Sequence, residues 1–397
     1  MTIELLHQVG HNSNWNRDSF SKDEVGSGLI YSPVHDPEPR INGFSKKLKE
    51  TSIFDPQFYL PSSQKPKFKS YDFFPNTILG EQGFNTIDYN TVAYESAKRC
   101  VAFQHLHNFK NIIIPARFYE QLNPSYTEQQ SELFVNPFIK AIKEQGLLGE
   151  KEIYLSVPIT SHMVNIQEYK NNILNWLTSY PEIDGIYFIC QHDRQTKQIQ
   201  DSKFLIEYMD VIHSTIEADL KVIVGYTNTE SLLYSLCGQD ITLTVGAFEN
   251  TRIFSLDKFI VSDEERRGPK ARIYIPKLLN WINFEDAKLI RDYSPDVWSR
   301  IYTPTKNAEG AFAATKIPTF NSPILYKHYF QAFSEQLNSL SPLNIQDRFN
   351  MLRGWIHESM EFYELIKDIP LQLDKNGNEA HLTSWINAIE IFNKNHL

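Results

Sequence analysis

Three cysteines in 397 residues leave little for covalent or metal cross-linking. Cys100, Cys190 and Cys237 are odd in number, far apart and set in apolar surroundings. Neither a disulfide framework nor a C-x-x-C metal site is expected, and buried free thiols in a reducing cytoplasm are. Net positive charge is lacking too, since 39 Lys and Arg face 48 Asp and Glu for a formal charge of −9. That excludes a general nucleic-acid binder, which neutralises phosphates with a net basic surface, but not a local basic groove on an acidic body. No apolar run approaches the ~18–20 residues of a membrane helix. The opening MTIELLHQVGHNSNWN has no basic segment followed by an apolar one, so neither a secretory leader nor a membrane partner is expected. With 16 Gly and 20 Pro there is no room for a long disordered or collagen-like tract. No G-x-G-x-x-G follows the early strand candidates, which weakens a dinucleotide-binding fold.

What is present is the composition of a globular protein, 41% hydrophobic and 22% charged. From about residue 110, short β-branched runs alternate with segments of helical period. The runs are NIIIPARF (111–118), EIYLSVPIT (152–160), GIYFICQHD (185–193), KVIVGYTN (221–228), ITLTVGAF (241–248) and ARIYIPKLL (271–279). Near-continuous apolar strands separated by helices predict a parallel sheet covered on both faces. Upstream, IELLHQVG (3–10), GLIYSPV (28–34), FDPQFYLP (54–61) and NTILGEQGF (76–84) add strand candidates. That is too many for most open sheets. The expectation is a (β/α)8 TIM-like barrel over residues 1–320 with N-terminal extra strands, and a helical appendix over 321–397 packed on it. Thr229 and Gly238 read as caps of the helix after residue 228.

In such a barrel the active site sits at the carboxyl ends of the strands. Those ends carry His7, His11, Glu81, Gln82, Arg117, Thr160, His162, Gln191, His192, Asp193, Tyr226, Asn228, Glu249, Asn250 and Arg252, while strand middles are apolar. Carboxylates, guanidiniums and imidazoles together exceed what helix capping requires, although Glu81 between Gly80 and Gly83 also fits an ordinary turn. Gly246 and Ala247 read as room for a flat ligand beside Glu249. Two further segments mix cations with aromatics or loop residues: Lys67 and Lys69 in KPKFKSYDFF, and Arg266, Arg267 and Lys270 in DEERRGPKAR. These suit phosphate contacts with base stacking, or equally a surface loop whose lysine stems snorkel.

The run DGIYFICQHD to LKVIVGYTNTESLLYSLCGQDITLTVGAFENTR resembles the second half of the tRNA-guanine transglycosylase barrel. Asp184-Gly185, Gly225-Tyr226-Thr227, the helix start Glu230 to Leu233 and Thr251-Arg252 fall in matching order and spacing. Upstream, ILGEQGF resembles the family's DSGGFQ stretch, so the resemblance spans residues 76–255. The family's nucleophilic aspartate falls on Gly246, with Glu249 the nearest carboxylate. Its second aspartate falls on Gly80, with Glu81 nearest, and its cysteine–histidine zinc site is absent.

The resemblance implies cleavage of a nucleobase N-glycosidic bond, with no cofactor and no metal. Glu249 or Asp193 would stabilise the cationic sugar, Glu81 with Gln82 would read the base, and Arg117 or Arg252 would clamp phosphate. His192, Asn250 and Tyr226 complete the substrate-binding set. Without the family's nucleophile, hydrolysis is expected over base exchange, in a DNA glycosylase acting on modified bases, for instance in foreign DNA, rather than on tRNA. The alternatives are a metal-dependent barrel hydrolase using His7, His11, His162, His192 and Asp193, and a non-catalytic barrel serving as a binding module.

Overall fold

The computed structural model describes residues 2–262 and 268–397. Eight parallel strands form its centre: β1 (Ile3–Gln8), β2 (Gly28–Tyr31), β3 (Ile53–Phe54), β4 (Ile112–Ile114), β5 (Ile153–Thr160), β6 (Gly185–Gln191), β7 (Lys221–Gly225) and β8 (Ile241–Gly246). Their order is β3-β2-β1-β8-β7-β6-β5-β4, so the first strand sits beside the last and the sheet curls into a TIM-like barrel. β1 and β8 run in register from Ile3 opposite Ile241 to Gln8 opposite Gly246. The circle is nearly closed. β3 and β4 are neighbours without a ladder, joined by single backbone bonds from Lys110 to Ser52 (2.8 Å) and from Phe118 to Tyr59 (3.0 Å).

Strand residues alternate between axis and shell, as the pleat requires. Gln8 and Tyr187 point inward and meet at 3.0 Å. Phe188 points outward onto Tyr208 of the helix Ser202–Glu217. The inward Tyr187 explains Gly225, where a Cβ would lie 2.4 Å from the tyrosine ring. Burial on both faces makes β5 buried at all eight positions.

The carboxyl-terminal region folds as expected into three long helices, Pro323–Leu340, Ile345–Lys367 and Ala380–His396. Pro323–Leu340 packs on β1, with Phe330 edge-on to His7. Ala380–His396 packs on Ser202–Glu217, and its Trp385 indole donates to the Ile199 carbonyl at 3.1 Å. Arg348 joins this layer to the barrel. Fully buried, it donates to six main-chain carbonyls: Leu340, Ser341 and Leu343 on one side, Ser235, Gly238 and Gln239 on the other. No helix among the described residues is long and apolar enough to cross a membrane.

Four local expectations are corrected. The N-terminal strands are not extras; β1, β2 and β3 are the first staves of the barrel. Residues 76–84 form no strand: Pro75 opens a short helix, Pro75–Leu79, where its missing N–H costs nothing, and Gly80–Gln82 is a 3-10 turn. The run at 271–279 contributes β9 (Arg272–Ile275), which pairs antiparallel with β10 (Asn280–Asn283) outside the barrel. Thr229 caps nothing; its hydroxyl donates to Gln198 and Leu279, and the helix behind it is only Ser231–Tyr234.

Candidate active site

At the carboxyl ends of β6 and β8 the loops 192–201 and 248–259 stand next to each other and enclose a cleft of about 440 Å³. Asp193 and Glu249 both line it, together with Gln191, Phe254, Arg194 and Lys375. Two of the three carboxylates singled out in the sequence thus line one cleft. A second hollow of about 490 Å³ lies on the other side of the 192–196 loop and takes in His162 and Asp201.

Glu249 begins a 3-10 turn, Glu249–Thr251, immediately after the last barrel strand. That turn occupies the space beside Gly246: a Cβ there would lie 2.3 Å from the Thr251 hydroxyl and 2.6 Å from its carbonyl. Gly246 therefore admits the chain's own turn and not a flat ligand. The half-exposed Glu249 carboxylate meets Lys197 at 2.5 Å. Burial pushes its pKa up, but Lys197, Arg252 and Arg194 together outweigh that and hold it below the usual glutamate range. Lys197 is lowered by burial, with Glu249 opposing.

A hydrogen-bonded scaffold fixes these charges. Arg194 pairs with the buried Glu230 at 3.4 Å and donates to the Lys197 carbonyl at 3.2 Å. Asn228 donates to that same carbonyl and to Gln198, while accepting from Arg252 at 3.3 Å. The Arg252 guanidinium lies over Trp281 at 4.2 Å, a cation–π contact that carries it into the protein with only 7% exposure. The carboxyl-terminal region also reaches the cleft, since Asn376 accepts from the Lys197 backbone N–H at 3.2 Å. His192 packs tilted against Phe204 and sits 3.6 Å from Asp201; burial and Arg194 lower its pKa, with Asp201 opposing. The Gln191 side-chain oxygen is buried on the cleft side without a hydrogen-bond partner.

The other expected residues lie elsewhere. Glu81 and Gln82 are exposed on their turn and line none of these hollows. Arg117 bonds Thr86 at 3.1 Å between the Phe84 and Tyr119 rings, away from the cleft. Asn250 is exposed, and its main-chain carbonyl accepts from Lys258 at 3.5 Å. Lys67 donates to the His35 carbonyl at 2.6 Å, and Lys69 and Lys270 are exposed. Arg266 and Arg267 lie outside the described residues. The cations of the cleft are instead Arg194, Lys197 and Lys375.

Beneath the cleft, on the barrel axis, lies a polar cluster that strand-end reading missed. Asp55 is fully buried; one carboxylate oxygen accepts from Tyr59 (2.9 Å) and from the Gln57 backbone (3.0 Å), and the other has no hydrogen-bond partner. The Tyr226 hydroxyl accepts from Gln57 at 3.0 Å and from Lys258 at 2.7 Å. Tyr226 holds φ +54, a left-handed backbone rare for a bulky residue and concentrated at functional sites. Burial raises Asp55 and lowers Lys258, each partly offset by the other. Phe254, packed on Tyr59, Phe118 and Tyr226, separates this cluster from the cleft above. The signal for Asp55 was present in FDPQFY, directly after an apolar pair and before a proline.

Among the described residues no three His, Cys, Asp or Glu side chains are grouped to hold a metal. His7 in particular faces outward, bonded to Val25 at 2.9 Å. The chain matches no known family model and no curated protein.

Proposed function

We propose that this barrel hydrolyses the N-glycosidic bond of a nucleotide unit, and that the chain is a diverged member of the tRNA-guanine transglycosylase-like superfamily. The observation that carries the reading is the convergence of Asp193 and Glu249 on one cation-rimmed cleft at the carboxyl end of the barrel. An N-glycosidic bond breaks through a cationic, oxocarbenium-like sugar, so the group beside the anomeric carbon must remain ionised. Glu249 has that property because Lys197 and two guanidiniums hold it charged. Phe254 closes the apolar floor of the cleft, Gln191 offers an unused acceptor for a base N–H, and Arg194 and Lys375 meet phosphate. Asp193, exposed at the cleft edge, is placed to orient the attacking water. A base inside a duplex would have to be flipped out to reach the cleft, and DNA carrying modified bases is the preferred substrate.

The test is incubation with duplex and single-stranded DNA bearing normal, glucosylated or deazaguanine bases, with abasic sites as the readout. Release of a base by the native protein is expected, with Glu249→Gln lowering the rate by about 10²- to 10³-fold, as for loss of a preorganised electrostatic partner. Glu81→Gln is expected to change nothing. Intact DNA throughout would count against the reading.

A further inference from the structure

The geometry points to Lys258 as an imine-forming amine, its Nζ held 2.7 Å from the Tyr226 hydroxyl at the mouth of the barrel and reacting with an aldehyde or ketone ligand. Lys258 lies in the 3-10 turn Leu256–Phe259 that follows β8. Its ammonium lies over the Tyr226 ring at 4.0 Å and the Phe259 ring at 5.3 Å, and among the described residues it makes no ion pair within 4.0 Å. The ring faces attract the ammonium, but with no contacting carboxylate among the described residues they replace only part of the hydration lost on burial, which favours the neutral, nucleophilic amine. Burial accordingly depresses it, and the nearby Asp55 moderates the shift. The side chain is only half-buried, so a small ligand has a route to it.

The chemistry balances with groups on the page. The amine lone pair adds to the carbonyl carbon, and the carbonyl oxygen takes up the proton released from nitrogen. The resulting carbinolamine loses water as its C–O bond breaks, leaving the imine. Tyr226, in contact with the nitrogen, is placed to deliver the proton that the departing oxygen needs and to take back the N–H proton of the iminium as the imine forms. The fully buried Asp55, with one unpartnered carboxylate oxygen, sets the charge balance around the amine. The inference does not rest on glycosidic cleavage, because any small carbonyl compound suits it; a ring-opened sugar left after base loss belongs to the same class.

The native protein is treated with glyoxylate and cyanoborohydride at pH 7, and the modified lysines are located by peptide mass spectrometry. Lys258 is expected to be labelled at least about 10-fold faster than Lys22 and Lys46, whose side chains are 70% and 81% exposed. Its rate should level off at a pH below the ordinary lysine range. In Asp55→Asn, removal of the negative charge that raises the Lys258 pKa should move its pH profile lower still. Lys258→Arg should lose that one label and keep the rest. Labelling of Lys258 no faster than Lys22 and Lys46, or a Lys258 profile that Asp55→Asn leaves in place, would overturn the proposal.

Discussion

The two mouths of the barrel are built from the same kinds of residue and handle them in opposite ways. At the amino ends of the strands a hollow of about 430 Å³ carries Glu4, Lys110, Glu152 and Lys221. There each charge faces water and an opposite partner, with Lys110 at 3.2 Å from Glu4 and Lys221 against Glu152. At the carboxyl ends, carboxylates and amines are partly or wholly withdrawn from water, and several polar atoms have no partner: one oxygen of Asp55, the Gln8 amide nitrogen and the Gln191 amide oxygen. Satisfied, solvated pairs contribute little and do no chemistry. Buried, underbonded polar groups cost stability and are retained where a ligand or a reaction uses them. The lower mouth pairs and solvates its charges, and the upper one keeps buried polar groups that a ligand would satisfy.

The largest expected effect tests the lower side of this contrast. Arg348 ties the loop leading into β8 to the ends of two outer helices. Arg348→Met removes the donor to six main-chain carbonyls, three in buried and three in part-buried bonds, and a buried carbonyl left unsatisfied costs about 1–3 kcal/mol. Denaturant unfolding should show a loss of at least ~3 kcal/mol, while base-release activity per folded molecule stays within twofold. A stable variant with lost activity would break the division between the two ends.

A middle-sized effect belongs to the upper mouth. Lys197→Met removes the cation nearest Glu249, so the carboxyl pKa rises from its depressed position. The ionised form then disappears at a higher pH than in the native protein. The acid limb of the pH–activity profile should therefore move upward, with stability changed by no more than ~1 kcal/mol. A limb that stays in place, or moves down, would separate Glu249 from the rate.

The smallest effect is at the lower rim. Lys110→Ala should change stability by ~0–1 kcal/mol in low salt, and by less in 1 M salt, where the exposed pair with Glu4 is screened. A larger cost, or an activity change, would show that the two ends are coupled.

The fold was legible in the sequence because strands buried on both faces write long apolar runs, as β5, β6 and β8 do. It blurred where prolines intervene. Pro56 and Pro61 shorten β3 to two residues, and Pro75 turns a β-branched stretch into a helical turn. For the same reason Asp55 was read inside a strand when it stands just past one. Asp193 and Glu249 were singled out because each stands within three residues of the end of an apolar run. Lys258 was not, because its turn has no periodicity and its importance comes from Tyr226, 32 positions away in sequence. Arg194, Lys197 and Lys375 likewise come together only through tertiary structure.

The gap between β3 and β4 gives the ring of strands a single joint. Every other pair of neighbours shares a ladder, but here two backbone bonds do the closing. A ring with one weak link opens there first. The amides of Lys110 and Phe118 should accordingly exchange with solvent deuterium ahead of those in β5 and β6, and Asp55 and Tyr59, which stand beside that joint, would be the first part of the barrel axis to meet water.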